Sequence, residues 1–220
     1  MVSKMVRGAA ALALAAFGLG TAQAATVTLT GWAEGTGRLV NTSTYSGAAG
    51  GFKGTLAGAG SFDTSSFVTY CVELTESFSF SKLGTSGYDV VDGNAYFGLV
   101  KSNRLGRLMS WVADHPAEVD NASESASLQL AIWNIVYDND FSLTAPGGFR
   151  DSSSFAAHAD ELLAGAQSVA VSEFSVYALQ RAGSQDFLLL QRNSNLPEPS
   201  SLALAALALA SLGLVRRSRA

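Results

Sequence analysis

An apolar segment lies at each end of this 220-residue chain, and the two together limit the part that can fold as a globular domain. Residues 1–24 have the three parts of a secretory signal: Lys4 and Arg7, an apolar run, and small residues ending at Ala24. This pattern predicts export and cleavage after Ala24. An uncleaved anchor helix is the alternative, but the apolar run is shorter than the roughly 20 residues that cross a bilayer.

The other end combines a short proline-flanked motif, an apolar segment over residues 200–215 and a basic tail. The motif is Pro197, Glu198 and Pro199, and the tail contains Arg216, Arg217 and Arg219. Arginines after an apolar segment favour the cytoplasmic side of the membrane, so this end is expected to stop in the inner membrane with its tail inside. A permanent tail anchor is the alternative to a processed one.

This order of motif, apolar helix and basic tail resembles the PEP-CTERM sorting signal of Gram-negative bacteria. The resemblance covers residues 196–219 and implies processing by an exosortase, a membrane-embedded cysteine transpeptidase. It further implies transient anchoring in the inner membrane, followed by transfer to the cell surface or to an extracellular polysaccharide or biofilm matrix. The chain is therefore divided into a signal peptide (1–24), an exported domain (25–194) and a sorting signal (195–220).

The charge balance argues against nucleic acid as a partner. The whole chain has 14 Lys and Arg against 18 Asp and Glu, a formal charge of -4. Five of these basic residues and one acid belong to the two ends, so acids outnumber bases by eight in the domain between them. Such a domain has no basic field for a phosphate backbone.

The hydrophobic patterns of residues 25–194 predict an α+β fold. Alternating or β-branched runs indicate strands at 26–32, 52–56, 66–74, 172–179 and 185–191. A 3.6-residue period indicates one helix that ends before Pro116, a second over 122–136 behind an Asn121 cap, and a third over 155–167. Glycine and serine over residues 41–51 predict a mobile loop.

Two polar residues stand out in this pattern, the single cysteine Cys71 and the glutamine Gln129. Helical spacing puts Gln129 on one face with Ile132, Trp133 and Val136, where an amide needs hydrogen-bond partners. A structural explanation exists for each: a satisfied core amide for Gln129 and a small buried hydrophobe for Cys71. With one cysteine, an intrachain disulfide is impossible.

The segments around these residues resemble the thioester domains of Gram-positive surface proteins. The segments are Tyr-Cys-Val-Glu at 70–73 and Ala-Ser-Leu-Gln-Leu-Ala-Ile-Trp at 126–133. The resemblance implies a β-rich scaffold with a central helical segment. It also implies that Cys71 and Gln129 condense, with loss of ammonia, into a thioester.

The same resemblance assigns surroundings and chemistry to that bond. Tyr70 and Trp133 are expected to keep water away from it, and an amine or hydroxyl on a target surface is expected to become attached through Gln129. This is a single-use acyl transfer for adhesion and not enzyme turnover, and it needs no metal or cofactor. Leu128 replaces the threonine common in the family, with the nearest hydroxyl on Ser127.

Other classes of function remain open at the level of sequence. A noncovalent structural component of the extracellular matrix needs no reactive bond. A hydrolase would combine Cys71 with His115 or His158, although neither histidine lies in a catalytic signature. The acids at Asp138 and Asp140 offer oxygen ligands for calcium, but their spacing is typical of a turn.

Overall fold

The protein is described by a computed structural model covering residues 24–80, 83–138 and 140–193. The body of the signal peptide (1–23) and the sorting segment from 194 onward therefore lie outside the described residues. The strands are β1 (Ala25–Trp32), β2 (Arg38–Asn41), β3 (Ser46–Ala49), β4 (Phe52–Ala57), β5 (Thr64–Thr69), β6 (Thr85–Asp92), β7 (Phe174–Gln180) and β8 (Phe187–Arg192). The α-helices are α1 (Gly93–Phe97), α2 (Leu99–Asp114), α3 (Ala122–Tyr137) and α4 (Ala156–Ser168).

Six strands form an antiparallel sheet in the order β5-β4-β1-β6-β7-β8. The chain that leaves β5 then returns to the opposite edge, where Cys71 pairs with Phe187 of β8. The sheet is therefore barrel-like, with the cysteine at the point where its two edges meet. Gly54 permits close strand packing, since a Cβ there would lie 2.3 Å from the Thr28 carbonyl oxygen.

Helices α2, α3 and α4 pack against one another beside the sheet. Asn121 caps α3 by accepting hydrogen bonds from the backbone N–H groups of Ser123 and Glu124. The Glu124 carboxylate in turn accepts a hydrogen bond from the Asp120 N–H, so backbone N–H groups both before and within the first turn of α3 have side-chain acceptors. The α+β prediction is confirmed, and the three predicted helices are present within two residues of their expected ends where those were stated.

Helix α3 differs from the predicted helix with one apolar face, because it is buried on every side. Its residues from Ser125 through Ile135 are all buried, including its serines and amides. Helix α4 packs along one flank, and the β2–β3 hairpin lies along another. A residue of α3 between Ser125 and Ile135 therefore meets other protein atoms whichever way it points.

Several local predictions were wrong. Residues 41–51 are not a mobile loop, because β2 and β3 form a hairpin there and the Asp151 carboxylate accepts from the Asn41 N–H. The predicted strand 66–74 ends at Thr69, which places Cys71 beyond it. Strand β6 and helix α1 had not been predicted. Within the described residues, no helix is long and apolar enough to cross a membrane.

Candidate functional site

The backbone at Cys71 is held between β5 and β8. The Leu188 N–H donates to the Tyr70 carbonyl at 2.9 Å, and the Val72 N–H donates to the Asp186 carbonyl at 3.1 Å. The hydroxyl of Thr69 donates to the Leu188 carbonyl at 2.7 Å. These bonds immobilise the cysteine although it lies outside a regular strand.

The Gln129 side chain reaches the backbone of Cys71 from helix α3. The Cys71 N–H donates to Gln129 Oε1 at 2.9 Å, and Gln129 Nε2 donates to the Cys71 carbonyl at 2.8 Å. Both residues are buried, with 5% and 1% of their surface exposed. The structure therefore brings together the two residues that the sequence paired, through an amide clamp on the cysteine backbone.

The Cys71 thiol forms no disulfide and is buried. Burial raises the pKa of this thiol well above its ordinary value, and the negative charge of Glu73 raises the pKa further. The thiol is therefore protonated at neutral pH. A thiolate with a high pKa is a poor leaving group, which favours persistence of any acyl bond made to this sulfur.

A cavity of about 170 Å³ adjoins the pair and provides space for a small group beside it. Its walls are mainly aromatic and small side chains, and two carboxylates stand among them. The lining residues are Tyr45, Ala48, Ala49, Gly50, Phe52, Cys71, Glu73, Leu74, Glu76, Ser77, Phe78, Gln129, Trp133 and Gln185.

The two aromatic residues predicted around the site occupy different positions. Trp133 lines the cavity and packs edge-on against Tyr45, with ring centroids 5.1 Å apart. Tyr70 is not among the lining residues; its ring lies against Gly51, and its hydroxyl is 3.5 Å from Ser125 Oγ. Burial raises the pKa of Tyr70 to about 12.

Most of the residues that line the cavity were not predicted from the sequence. Tyr45 and Phe78 come from segments whose loop-like composition carried no signal of a site. Gln185 is held in place because its Nε2 donates to the Glu73 and Asp186 carbonyls. Glu73 belongs to the cysteine motif, but the sequence did not predict that it lines the cavity. Its position there depends on the turn after Val72, in which the Glu73 carboxylate accepts a hydrogen bond from the Glu76 N–H.

The histidines lie away from this cavity. His158 Nε2 is 2.9 Å from the Glu118 carbonyl oxygen and Nδ1 is 3.2 Å from Glu161. His115 Nδ1 is 2.8 Å from the Trp111 carbonyl oxygen at the end of α2. Neither histidine is among the residues that line the cavity of Cys71.

The acidic loop after α3 is occupied by internal hydrogen bonds. Asp138 accepts from the Phe149 N–H at 2.7 Å, and Asp140 accepts from Asn134 Nδ2 at 3.2 Å. In the part of the chain that the structure describes, no three His, Cys, Asp or Glu side chains are arranged to hold a metal ion.

Comparison with known proteins identifies one segment of the chain. Residues 195–219 match the family model of the PEP-CTERM protein-sorting motif, which includes the Pro-Glu-Pro triplet and the arginine tail. The exosortase-substrate prediction is thereby supported, and with it export to the cell surface. Searches of curated proteins and of solved structures each found no significant match.

Proposed function

We propose that this exosortase-sorted protein carries an internal thioester between Cys71 and Gln129 and uses it once, to attach to a surface amine or hydroxyl. Extracellular polysaccharide and neighbouring surface proteins are the candidate targets. The single observation that carries the proposal is the pair of hydrogen bonds, 2.9 and 2.8 Å long, by which the buried Gln129 amide holds the Cys71 backbone.

The condensation forms and breaks bonds of the two side chains alone and consumes no third reactant. Cys71 Sγ–H attacks Gln129 Cδ, the Sγ–Cδ bond forms, the Cδ–Nε2 bond breaks, and the thiol proton leaves with Nε2 as ammonia. The Cys71 N–H already donates to Gln129 Oε1, and this polarises the carbonyl that is attacked. Proximity within a rigid site replaces the entropy cost of bringing the two groups together.

Burial supports storage of the resulting bond. Cys71 and Gln129 are nearly excluded from solvent, so hydrolysis is slow until an acceptor enters the adjoining cavity. An amine that attacks Cδ forms an amide with Gln129 and returns the proton to Cys71 as a free thiol. The product is a covalent link that cannot be reversed by dilution.

Intact mass of the exported protein tests the proposal. The mass is expected to be lower than the processed sequence by one ammonia, and methylamine is expected to add to Gln129 while one thiol appears per chain. A full sequence mass together with a thiol that titrates after unfolding, without methylamine treatment, would refute the thioester.

A noncovalent matrix component is the second candidate, and the same clamp favours it. Two hydrogen bonds to backbone are what a purely structural buried glutamine makes. This candidate predicts the full sequence mass, no methylamine adduct, and binding to polysaccharide that is lost on washing with denaturant.

A further inference from the structure

The indole N–H of Trp133 is a buried donor that the fold leaves unused. Only 2% of Trp133 is exposed, and its Nε1 has no hydrogen-bond acceptor among residues 24–80, 83–138 and 140–193. Its ring is surrounded by other rings, with centroids 5.1 Å from Tyr45 and 6.4 Å from Phe149. A buried donor without an acceptor destabilises the folded state, so its presence needs a reason.

Trp133 lies close to Gln129, whose carboxamide would supply the acyl group of the proposed thioester. Trp133 follows Gln129 by four residues on α3, and residues at this spacing are neighbours on one helix face. Helical side chains lean toward the N-terminus, so the Trp133 side chain lies over the turn that carries Gln129. Both residues line the same cavity.

The oxygen of Gln129 can accept a second hydrogen bond. One lone pair of Oε1 accepts from the Cys71 N–H at 2.9 Å, and a carbonyl oxygen has two lone pairs. When Nε2 leaves as ammonia, its bond to the Cys71 carbonyl is lost as well. The acyl group is then tied to Sγ and no longer held by both backbone groups of Cys71.

We propose that Trp133 Nε1–H is the second donor to the Gln129 acyl oxygen, opposite the Cys71 N–H. The inference rests on the proposed thioester. The indole bond forms when the amide becomes a thioester, and it strengthens as an attacking amine turns the carbonyl oxygen into an oxyanion. Collapse of that oxyanion breaks the Cδ–Sγ bond and leaves the Cys71 thiol and a new amide.

The expected effect is that of removing one donor from an oxyanion site. Trp133→Phe retains an aromatic ring and deletes the N–H, and it should lower the rate constant for methylamine attack by about 100-fold. Trp111→Phe is the matched control, because Trp111 is not among the cavity-lining residues. Its ring stacks on that of His115, with the two ring centroids 4.2 Å apart. The rate of this control should equal that of the unaltered protein.

Two spectroscopic measurements separate a hydrogen bond from simple packing. In the infrared, the thioester C=O stretch should move to higher frequency in Trp133→Phe and stay in place in Trp111→Phe. In the full exported protein labelled with ¹⁵N-tryptophan, the Trp133 indole proton should resonate further downfield than in Cys71→Ala. This second comparison does not require Trp133→Phe to fold.

The outcomes distinguish the inference from the function beneath it. If the unaltered protein shows no loss of ammonia, the thioester fails, and the role of Trp133 fails with it. If ammonia is lost but the indole resonance matches that of Cys71→Ala, the thioester stands and only the role of Trp133 is overturned. A downfield shift together with the rate loss supports both.

Discussion

Two buried amides on helix α3 have opposite surroundings. Gln129 meets the backbone of Cys71 at a cavity whose walls are mainly aromatic and small side chains, next to the Trp133 indole, which has no acceptor within the described residues. Asn134, about one turn later, joins a polar network by donating to Asp140 Oδ1 at 3.2 Å and to the Ser142 carbonyl at 3.0 Å. The network at Asn134 orders a loop, whereas the buried site at Gln129 holds one amide beside one thiol.

The contrast continues in the loop that Asn134 supports. The Asp160 carboxylate accepts from the Leu143 N–H at 2.6 Å, from the Thr144 hydroxyl at 2.6 Å and from the Ser142 hydroxyl at 3.1 Å. A network with this many bonds stabilises a conformation. A site with a spare donor has capacity for a group whose charge changes, and this distinguishes the Asn134 network from the region in which we propose the thioester.

The largest effect is expected for Gln129→Ala. The variant has no carboxamide to condense, so both the loss of ammonia and the methylamine adduct should disappear completely. Intact mass before and after methylamine measures this. Asn134→Ala is the matched control, since it removes another buried amide from the same helix and should retain the adduct. An adduct that persists in Gln129→Ala would place the reactive group elsewhere.

A large effect on stability, without an effect on chemistry, is expected for Asp160→Ala. The change leaves three donors of the 142–144 loop without their shared acceptor, and the free energy of unfolding should fall by about 3 kcal/mol. Urea unfolding measures the loss. The methylamine adduct should still form in full. An unchanged stability would show that water replaces the carboxylate at no cost.

A moderate effect is expected for the free Cys71 thiol at alkaline pH, in the Gln129→Ala background. Burial raises its folded pKa above 9.0, so the unfolded chain releases this proton first. The protonated thiol therefore contributes to the free energy of unfolding below pH 9. This contribution is lost as the pH rises toward the pKa of the folded protein, and the free energy of unfolding should fall by about 1.4 kcal/mol per pH unit in that range.

Urea unfolding between pH 8 and 10 measures this slope against the double variant that also carries Cys71→Ala. The double variant should lack the steeper decline. Parallel curves for the two proteins would show that the thiol is solvated once Gln129 is removed.

The smallest effect is expected at His158 on helix α4. Burial lowers the pKa of His158, but the Glu118 carbonyl and the Glu161 carboxylate outweigh burial and raise the pKa above 6.5. The stabilising contribution is thus present below pH 6.5 and is lost as pH rises through the folded pKa. Thermal unfolding of His158→Gln should differ from the unaltered protein at pH 5.5 and converge with it at pH 8. A constant difference would argue against this ion pair.

The three longer helices, α2 to α4, were predictable because their signals are local. The Asn121 cap and the 3.6-residue period lie within the segments that they define, and α3 begins at Ala122 as expected. Strand β6 was missed because its partners β1 and β7 are distant in sequence. The β2–β3 hairpin was missed because its glycine- and serine-rich composition favours a loop. The end of β5 was misplaced because Cys71 pairs with β8, which is distant in sequence, and not with β4.

By itself the sequence determined the sorting signal at 195–219 and the α+β class, because each depends on residue types at close spacing. The association of Cys71 with Gln129, which are 58 residues apart, was implied only by the resemblance of two short motifs to a known family. Only the tertiary structure decided what surrounds that pair. The meeting of two sheet edges sets the cysteine backbone against the amide, and the cavity wall comes from segments distant in sequence. The Trp133 indole, which has no acceptor in the described part of the chain, belongs to this second kind of information, since packing decides which acceptors a side chain meets.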